Sequence, residues 1–136
     1  MNSPSKFYVV GFYYDANTES VLLIKEKDKL NGIGGKIEIG ETIQDAIKRE
    51  AHEEANFPLE TEWEHFASTH GDDWKVYFFF CDTLGLASQI IQRESEKLYW
   101  VRIDELFKHD MIPNLRYLIP LALNSKTLKV VNFMEL

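Results

Sequence analysis

The chain has one cysteine, Cys81, in 136 residues. An internal disulfide framework is therefore excluded, and a reducing compartment fits. Cys81 lies inside the apolar run 76–81 and reads as a small buried hydrophobe. No apolar stretch approaches the length of a membrane span, and the N-terminus has no signal-peptide pattern. A basic stripe is also missing. Lys and Arg number 15 against 22 Asp and Glu, for a formal net charge of −7, which argues against a nucleic-acid polymer as partner. It does not exclude a nucleotide, because bound cations offset a local negative field. With no internal repeat, low-complexity segment or linker, the expectation is a cytoplasmic globular protein with a single domain over residues 1–136.

What is present is a set of apolar, β-branched and aromatic runs, 45% apolar and 13% aromatic residues in all. Residues 7–14 read as a buried strand closed by a turn at Asp15-Ala16-Asn17, and 21–24 as a second strand in a hairpin with it. A polar connection, 25–29, leads to a glycine-rich loop, Leu30-Asn31-Gly32-Ile33-Gly34-Gly35. Further strands are expected at 63–69, 74–81 (the sheet centre), 98–103 and 128–133. A short helix is expected from Asp104, and a longer one carries Leu115, Leu118, Ile119 and Ala122 at helical spacing after Pro113. Residues 84–93 read as irregular. Strands mixed with one central and one late helix imply an α/β protein with a mixed sheet covered on both sides.

The central helix, from Thr42 to about Phe57, is the informative one. Thr42-x-x-Asp45 has capping-box spacing. At about 100° per residue, Ile43, Ala46, Ile47 and Ala51 mark one apolar face. Glu50 and Glu54 fall in the middle of that face and Glu53 at its edge beside Arg49, while Gln44, Asp45, Lys48 and His52 take the solvent side. Burying clustered carboxylates costs several kcal/mol or more unless something neutralises them. No basic residue shares the centre of the face, so a divalent cation is the economical neutraliser. A ligand set of carboxylates without His or Cys suits Mg²⁺ or Mn²⁺. The alternative is a solvated acidic face with i,i+3 and i,i+4 partners; the placement among Ile43 and Ile47 argues against it.

Gly35, five residues, Glu41, seven residues, then Arg49-Glu50-Ala51-His52-Glu53-Glu54-Ala55-Asn56-Phe57 resembles the Nudix box, G-x5-E-x7-R-E-U-x-E-E-x-G-U. Ala51 is a small choice for the first apolar position. Asn56 replaces the final glycine and is the next most tolerant residue for a left-handed conformation. The resemblance implies the Nudix-type α/β/α sandwich with a loop-helix-loop motif and hydrolysis of a nucleoside diphosphate linked to another group. It implies Glu50, Glu53 and Glu54 as metal ligands with the Gly34 carbonyl, Arg49 as the residue orienting a glutamate, and Glu50 or Glu53 as base. Lys36 is a candidate phosphate contact, and Glu94 or Glu96 a candidate further ligand.

Outside the box, the segment Asn31 to Gly35, Glu94-Ser95-Glu96, Trp100 and the run 110–121 are similar to the MutT-homologue branch, which hydrolyses oxidised purine nucleoside triphosphates. That likeness implies a base contact from Asn31, and Asn114 is a further candidate to hydrogen-bond a base. Where the branch has W-P-D-D, this chain has Ile112-Pro113-Asn114-Leu115, so the aromatic stacking surface and two carboxylates are missing where base specificity is set. Alternative substrates are ADP-ribose and dinucleoside polyphosphates, although the downstream proline or tyrosine expected for them is absent from Asp72-Asp73-Trp74-Lys75. A non-catalytic nucleotide-binding module is the other class. A monomer and a homodimer both remain open.

Overall fold

The computed structural model describes residues 6–56, 62–90, 97–124 and 130–135. β1 (Lys6–Asp15) is the strand on which the sheet is assembled. Along one edge it runs parallel to β6 (Trp74–Asp82), with Lys6 opposite Trp74 and Tyr14 opposite Asp82. Its other edge is shared: β4 (Ile33–Lys36) pairs antiparallel with its first half and β2 (Ser20–Glu26) with its end. β3 (Lys29–Asn31) and β7 (Leu98–Arg102) both pair antiparallel with β2. Beyond β6 lie β5 (Glu64–His70), antiparallel, and β8 (Val131–Met134), parallel to β5. The result is the expected mixed sheet, in the order β3-β2-β1-β6-β5-β8 with β4 and β7 off that path.

Alternation along the strands sends successive side chains to opposite faces. Val9, Tyr13, Leu22, Ile24, Phe79 and Cys81 pack under α1 (Ile43–Ala55), together with its buried Ala46, Ile47, Ala51 and Ala55. Phe12, Val21, Leu23, Phe78 and Val101 pack on the other face under α2 (Leu115–Asn124), with Leu115, Leu118, Ile119 and Ala122 buried as their spacing predicts. Burying a side chain such as Ile47 contributes roughly 1.5–3 kcal/mol, so each helix is held chiefly by its apolar stripe. Between β7 and α2, residues Ile103–Lys108 form a 3-10 helix, and Ala87–Gln89 form another short one within the stretch read as irregular. The last strand begins at Val131; Leu128 and Lys129 lie outside the described residues, as do Phe57, Pro58 and Leu59.

Two sequence expectations are corrected. The polar connection 25–29 is mostly strand: Lys25 and Glu26 end β2, Lys29 opens β3, and only Lys27-Asp28 turns, both at positive φ (50° and 75°). That is the geometry of a two-residue hairpin turn. The glycine-rich loop is likewise mostly strand, because Gly34 and Gly35 sit in β4 opposite Val10 and Val9. A Cβ on Gly34 would overlap the Val9 backbone carbonyl, so glycine here serves close strand approach and not loop flexibility.

Both ends of α1 follow from sequence. The Thr42 hydroxyl accepts from the Asp45 N–H at 3.1 Å, and Asn56 adopts the left-handed conformation, φ 47° and ψ 41°. Asn56→Gly should therefore hold stability within roughly 1 kcal/mol of the parent. Asn56→Val, which resists positive φ, should cost about 1–2 kcal/mol or more in urea denaturation.

Candidate active site

The site forms where α1 crosses β4. Glu50 and Glu54 are 8% and 9% exposed on the helix's apolar face, as the helical arc predicts. The Glu50 carboxylate lies against Gly35, where a Cβ would overlap it. Glu53 is at the edge of the face, its side chain 55% exposed. Gln44, Asp45, Lys48 and His52 face solvent.

Arg49 ties these groups together. Its Nε donates to Glu41 Oε2 at 2.8 Å and its Nη2 to Glu41 Oε1 at 3.1 Å, a two-pronged grip that suits the planar guanidinium. Nη2 also donates to the Lys36 carbonyl at 3.0 Å, and Nη1 to Glu50 Oε1 at 2.9 Å. Glu53 Oε2 is 3.5 Å from Nη1 and Glu38 Oε1 is 3.8 Å. No basic residue shares the centre of the acidic face, but Arg49 at its edge reaches in and carries its charge to Glu50. The hydrogen bonds to Glu41, and then to Glu50, push the guanidinium pKa further above its ordinary value. In return the Arg49 hydrogen bond, followed by a backbone hydrogen bond at Glu38, holds the Glu41 carboxyl below the ordinary carboxylate value.

Compensation is incomplete. Four carboxylates, Glu38, Glu41, Glu50 and Glu53, lie within 4 Å of this one guanidinium, an excess of three negative charges before Glu54 is counted. The donors on offer, carboxylates and the carbonyls of β4, are hard oxygens, so the site fits a divalent ion of the Mg²⁺ type. Among the described residues, no three acidic, His or Cys side chains are already drawn into a closed ligand cluster. Glu94 and Glu96 lie outside the described residues.

Beside this centre is a cleft of about 330 Å³ lined by Tyr8, Val10, Glu26, Asn31, Gly34, Gly35, Lys36 and Val76, among others. Asn31 and Lys36, singled out from sequence, are brought together here with Gly34. Asn31 Oδ1 also accepts from the Gly32 N–H at 2.8 Å, so part of its capacity serves the local turn. Tyr8, Val10, Val76 and Glu26 were missed; the strand alternation of β1 and β6 was the signal that could have placed the first three on one face.

Asn114 does not line this cleft. It precedes α2 and donates from Nδ2 to Glu135 Oε1 at 3.3 Å, a carboxylate that also accepts from Tyr117 Oη at 3.3 Å. A row of cross-strand neighbours links the two places: Lys36, Tyr8, Val76, Thr69 and Phe133 lie side by side across four strand pairings. Phe133 then packs on Tyr117 with ring centroids 5.3 Å apart. Near the far end of the row, Thr69 Oγ1 and Asn114 Oδ1 are buried and find no hydrogen-bond partner among the described residues.

Residues 5–122 match the family model for the NUDIX domain. The chain belongs to the NUDIX family. The resemblance that the box carries is borne out at the level of the family. Over 103 residues it is 31% identical to the oxidized purine nucleoside triphosphate hydrolase of Mus musculus, an alignment covering 71% of this chain and 64% of the relative. This chain therefore matches somewhat less than two thirds of that protein's length. Its fold matches a MutT structure, from work on the Aliivibrio salmonicida and Vibrio cholerae proteins, with a TM-score of 0.71 at 21% identity, covering 88% of this chain and 97% of the other. An ADP-ribose pyrophosphatase from Streptococcus suis matches with the same TM-score, 0.71, at 19% identity and 94% and 98% coverage. A MutT protein from Bacillus halodurans gives 0.69 at 22% identity, covering 95% and 89%. At these identities the structural likeness establishes the α/β Nudix fold.

A depressed Glu41 pKa has a sign. The Arg49–Glu41 contact stabilises the folded chain fully above the carboxyl's unfolded pKa, and that contribution disappears as pH falls through the lower folded value. In Arg49→Met the Glu41 carboxyl should titrate at a higher pH than in the parent, which ¹³C NMR of the side-chain carboxyl would follow. Gly35→Ala makes a complementary test. Crowding the Glu50 carboxylate should cut turnover by more than the variant's loss of stability explains, with kcat and thermal denaturation measured side by side.

Proposed function

We infer that this Nudix hydrolase is a Mg²⁺- or Mn²⁺-dependent nucleoside triphosphate pyrophosphohydrolase of MutT type, releasing a nucleoside monophosphate and pyrophosphate. The observation that carries this reading is the gathering of carboxylates around Arg49, more than one guanidinium can balance, beside a cleft holding Asn31 and Lys36. Glu50, Glu53, Glu54 and the Gly34 carbonyl are the groups that would hold the ion. When bound, the metal offsets charge on the phosphates and lowers the pKa of water.

The chain's own residues divide the remaining work. Arg49 fixes Glu50 and, through Glu41, the turn before α1. Glu50 Oε1 is engaged by the guanidinium at 2.9 Å, whereas Glu53 is more distant from it and more exposed. Glu53 therefore has the freer lone pairs and the better access to water, which favours it as the proton acceptor. Lys36 stands at the rim, where its ammonium can meet a phosphate. Asn31 reads the base edge, since its amide both donates and accepts. Asn114 contributes through its unfilled Oδ1 at the far end of the row. Leu115 is fully buried under the sheet, so the second of the two base-edge carboxylates has no substitute there. Preference for an oxidised purine such as 8-oxo-dGTP is accordingly a reading that rests on the curated relative and on Asn31.

A nucleotide panel with Mg²⁺, scored for released pyrophosphate or phosphate, tests the assignment. Purine nucleoside triphosphates should be turned over fastest; faster turnover of ADP-ribose, the substrate in the name of one structural match, would replace it. Glu53→Gln should lose most turnover while nucleotide binding weakens less, and near-parental rates would remove Glu53 from the chemistry. Asn31→Ala should raise KM for the preferred nucleotide by an amount equivalent to about 0.5–1.5 kcal/mol and flatten discrimination between bases. An equal loss on every nucleotide would return Asn31 to the turn it also supports.

A further inference from the structure

Ile39 is 107% exposed. A lone apolar side chain on a surface needs no explanation, but this one is presented in a particular way. It sits at the tip of the turn between β4 and α1, with Gly40 behind it at φ 83°. The turn is clasped twice: the Glu41 N–H donates to the Glu38 carbonyl at 3.0 Å, and the Glu38 N–H to Glu41 Oε1 at 3.0 Å. Glu41 is in turn gripped by Arg49. Ile39 is therefore a knob on a braced support, so little conformational freedom is lost when it is covered.

Immediately beside it is a hole. A cleft of about 510 Å³ is walled by Phe7, Ile37, Ile43 and Tyr77 beside Ile39, and Lys36, Glu38 and Glu41 of the site described above also line it. The charges around the cleft are of both signs and in different places. Lys75 lies with its ammonium 5.0 Å from the centre of the Tyr77 ring. Among the described residues it makes no ion pair. Glu38 is on the turn side, 68% exposed, with its closest ion-pair contact to Arg49 a loose 3.8 Å.

A surface that carries a knob beside an apolar hole, with Glu38 on the turn side and Lys75 across Phe7 on β6, can meet a second copy of itself under a two-fold rotation. We propose that this face pairs two copies of the chain. Ile39 of each copy enters the Phe7–Ile37–Ile43–Tyr77 cleft of the other, and Lys75 of each meets Glu38 of the other. The nucleotide cleft is walled mainly from the other face of the sheet, by Tyr8, Val10 and Val76, which alternate in sequence with Phe7 and Tyr77; Lys36 lines both clefts.

Sedimentation velocity on the full chain tests the pairing. The parent should move from the 15.9 kDa monomer to twice that mass as concentration rises from about 1 µM to about 300 µM, the range expected of a small interface. Ile39→Glu should weaken association at least about tenfold, while Ile39→Leu retains it. Glu38→Lys and Lys75→Glu should each be monomeric alone, because like charges then meet, but an equimolar mixture of the two should form a heterodimer. Circular dichroism confirms that each variant is folded, and Ile39→Ser replaces any that is not. A parent that stays at monomer mass throughout overturns the proposal. So does a dimer indifferent to Ile39→Glu, or a mixture of charge variants that fails to associate.

Discussion

The Arg49 guanidinium is the junction through which the turn before α1, the end of β4 and the acidic face of the helix are held in one arrangement. Its planar fork satisfies two oxygens of Glu41, the Lys36 carbonyl and one oxygen of Glu50 at once, which a lysine ammonium on a flexible stem would not reproduce. The geometry has a cost. A single cation cannot balance the carboxylates gathered around it, and the remaining charge repels itself in a half-buried setting. Gathering carboxylates in this way costs stability, as strained or charged functional sites generally do.

How much of this was legible in the sequence depends on which physical period governs each segment. α1 was readable because a 3.6-residue period placed Glu50 and Glu54 among Ile43, Ala46, Ile47 and Ala51, and because its caps are side-chain chemistry. α2 was readable for the same reason, through Leu115, Leu118, Ile119 and Ala122. β1 and β6 were readable as apolar runs. Lys29 to Lys36 was not. A three-residue strand and a four-residue strand containing two glycines leave no alternation to detect, and the chain reads as a loop until β1 and β2 are alongside to pair with it. Long-range pairing overrides local propensity here.

The candidate site divides along the same line. Glu50, Glu53, Glu54, Arg49 and Gly34 are close in sequence or joined by a regular spacing, so the motif exposed them. Asn31 and Lys36 were reached through likeness to a family. Tyr8 and Val76, which wall the same cleft, come from strands far apart in the chain, and only the parallel register of β1 with β6 brings them together. That Arg49 orients a glutamate came from the family likeness; a helical wheel alone places Cα directions and says nothing of how far a long side chain extends.

That parallel register has a consequence for how the protein is made. Lys6 pairs with Trp74, and Tyr14 with Asp82, so β1 is synthesised well before the partner for its parallel edge. Hairpin pairing with β2 and β4, and the docking of α1, involve short loops and can form early, while closure of the parallel pair involves long-range contacts that are intrinsically slow. On the ribosome, the N-terminal half would emerge as a hairpin and a helix with one edge of β1 unpaired. An unpaired strand edge is a template for the wrong partner. The aromatic run Phe12-Tyr13-Tyr14 on that edge makes the interval between translation of β1 and arrival of β6 the aggregation-sensitive window in this chain's biogenesis.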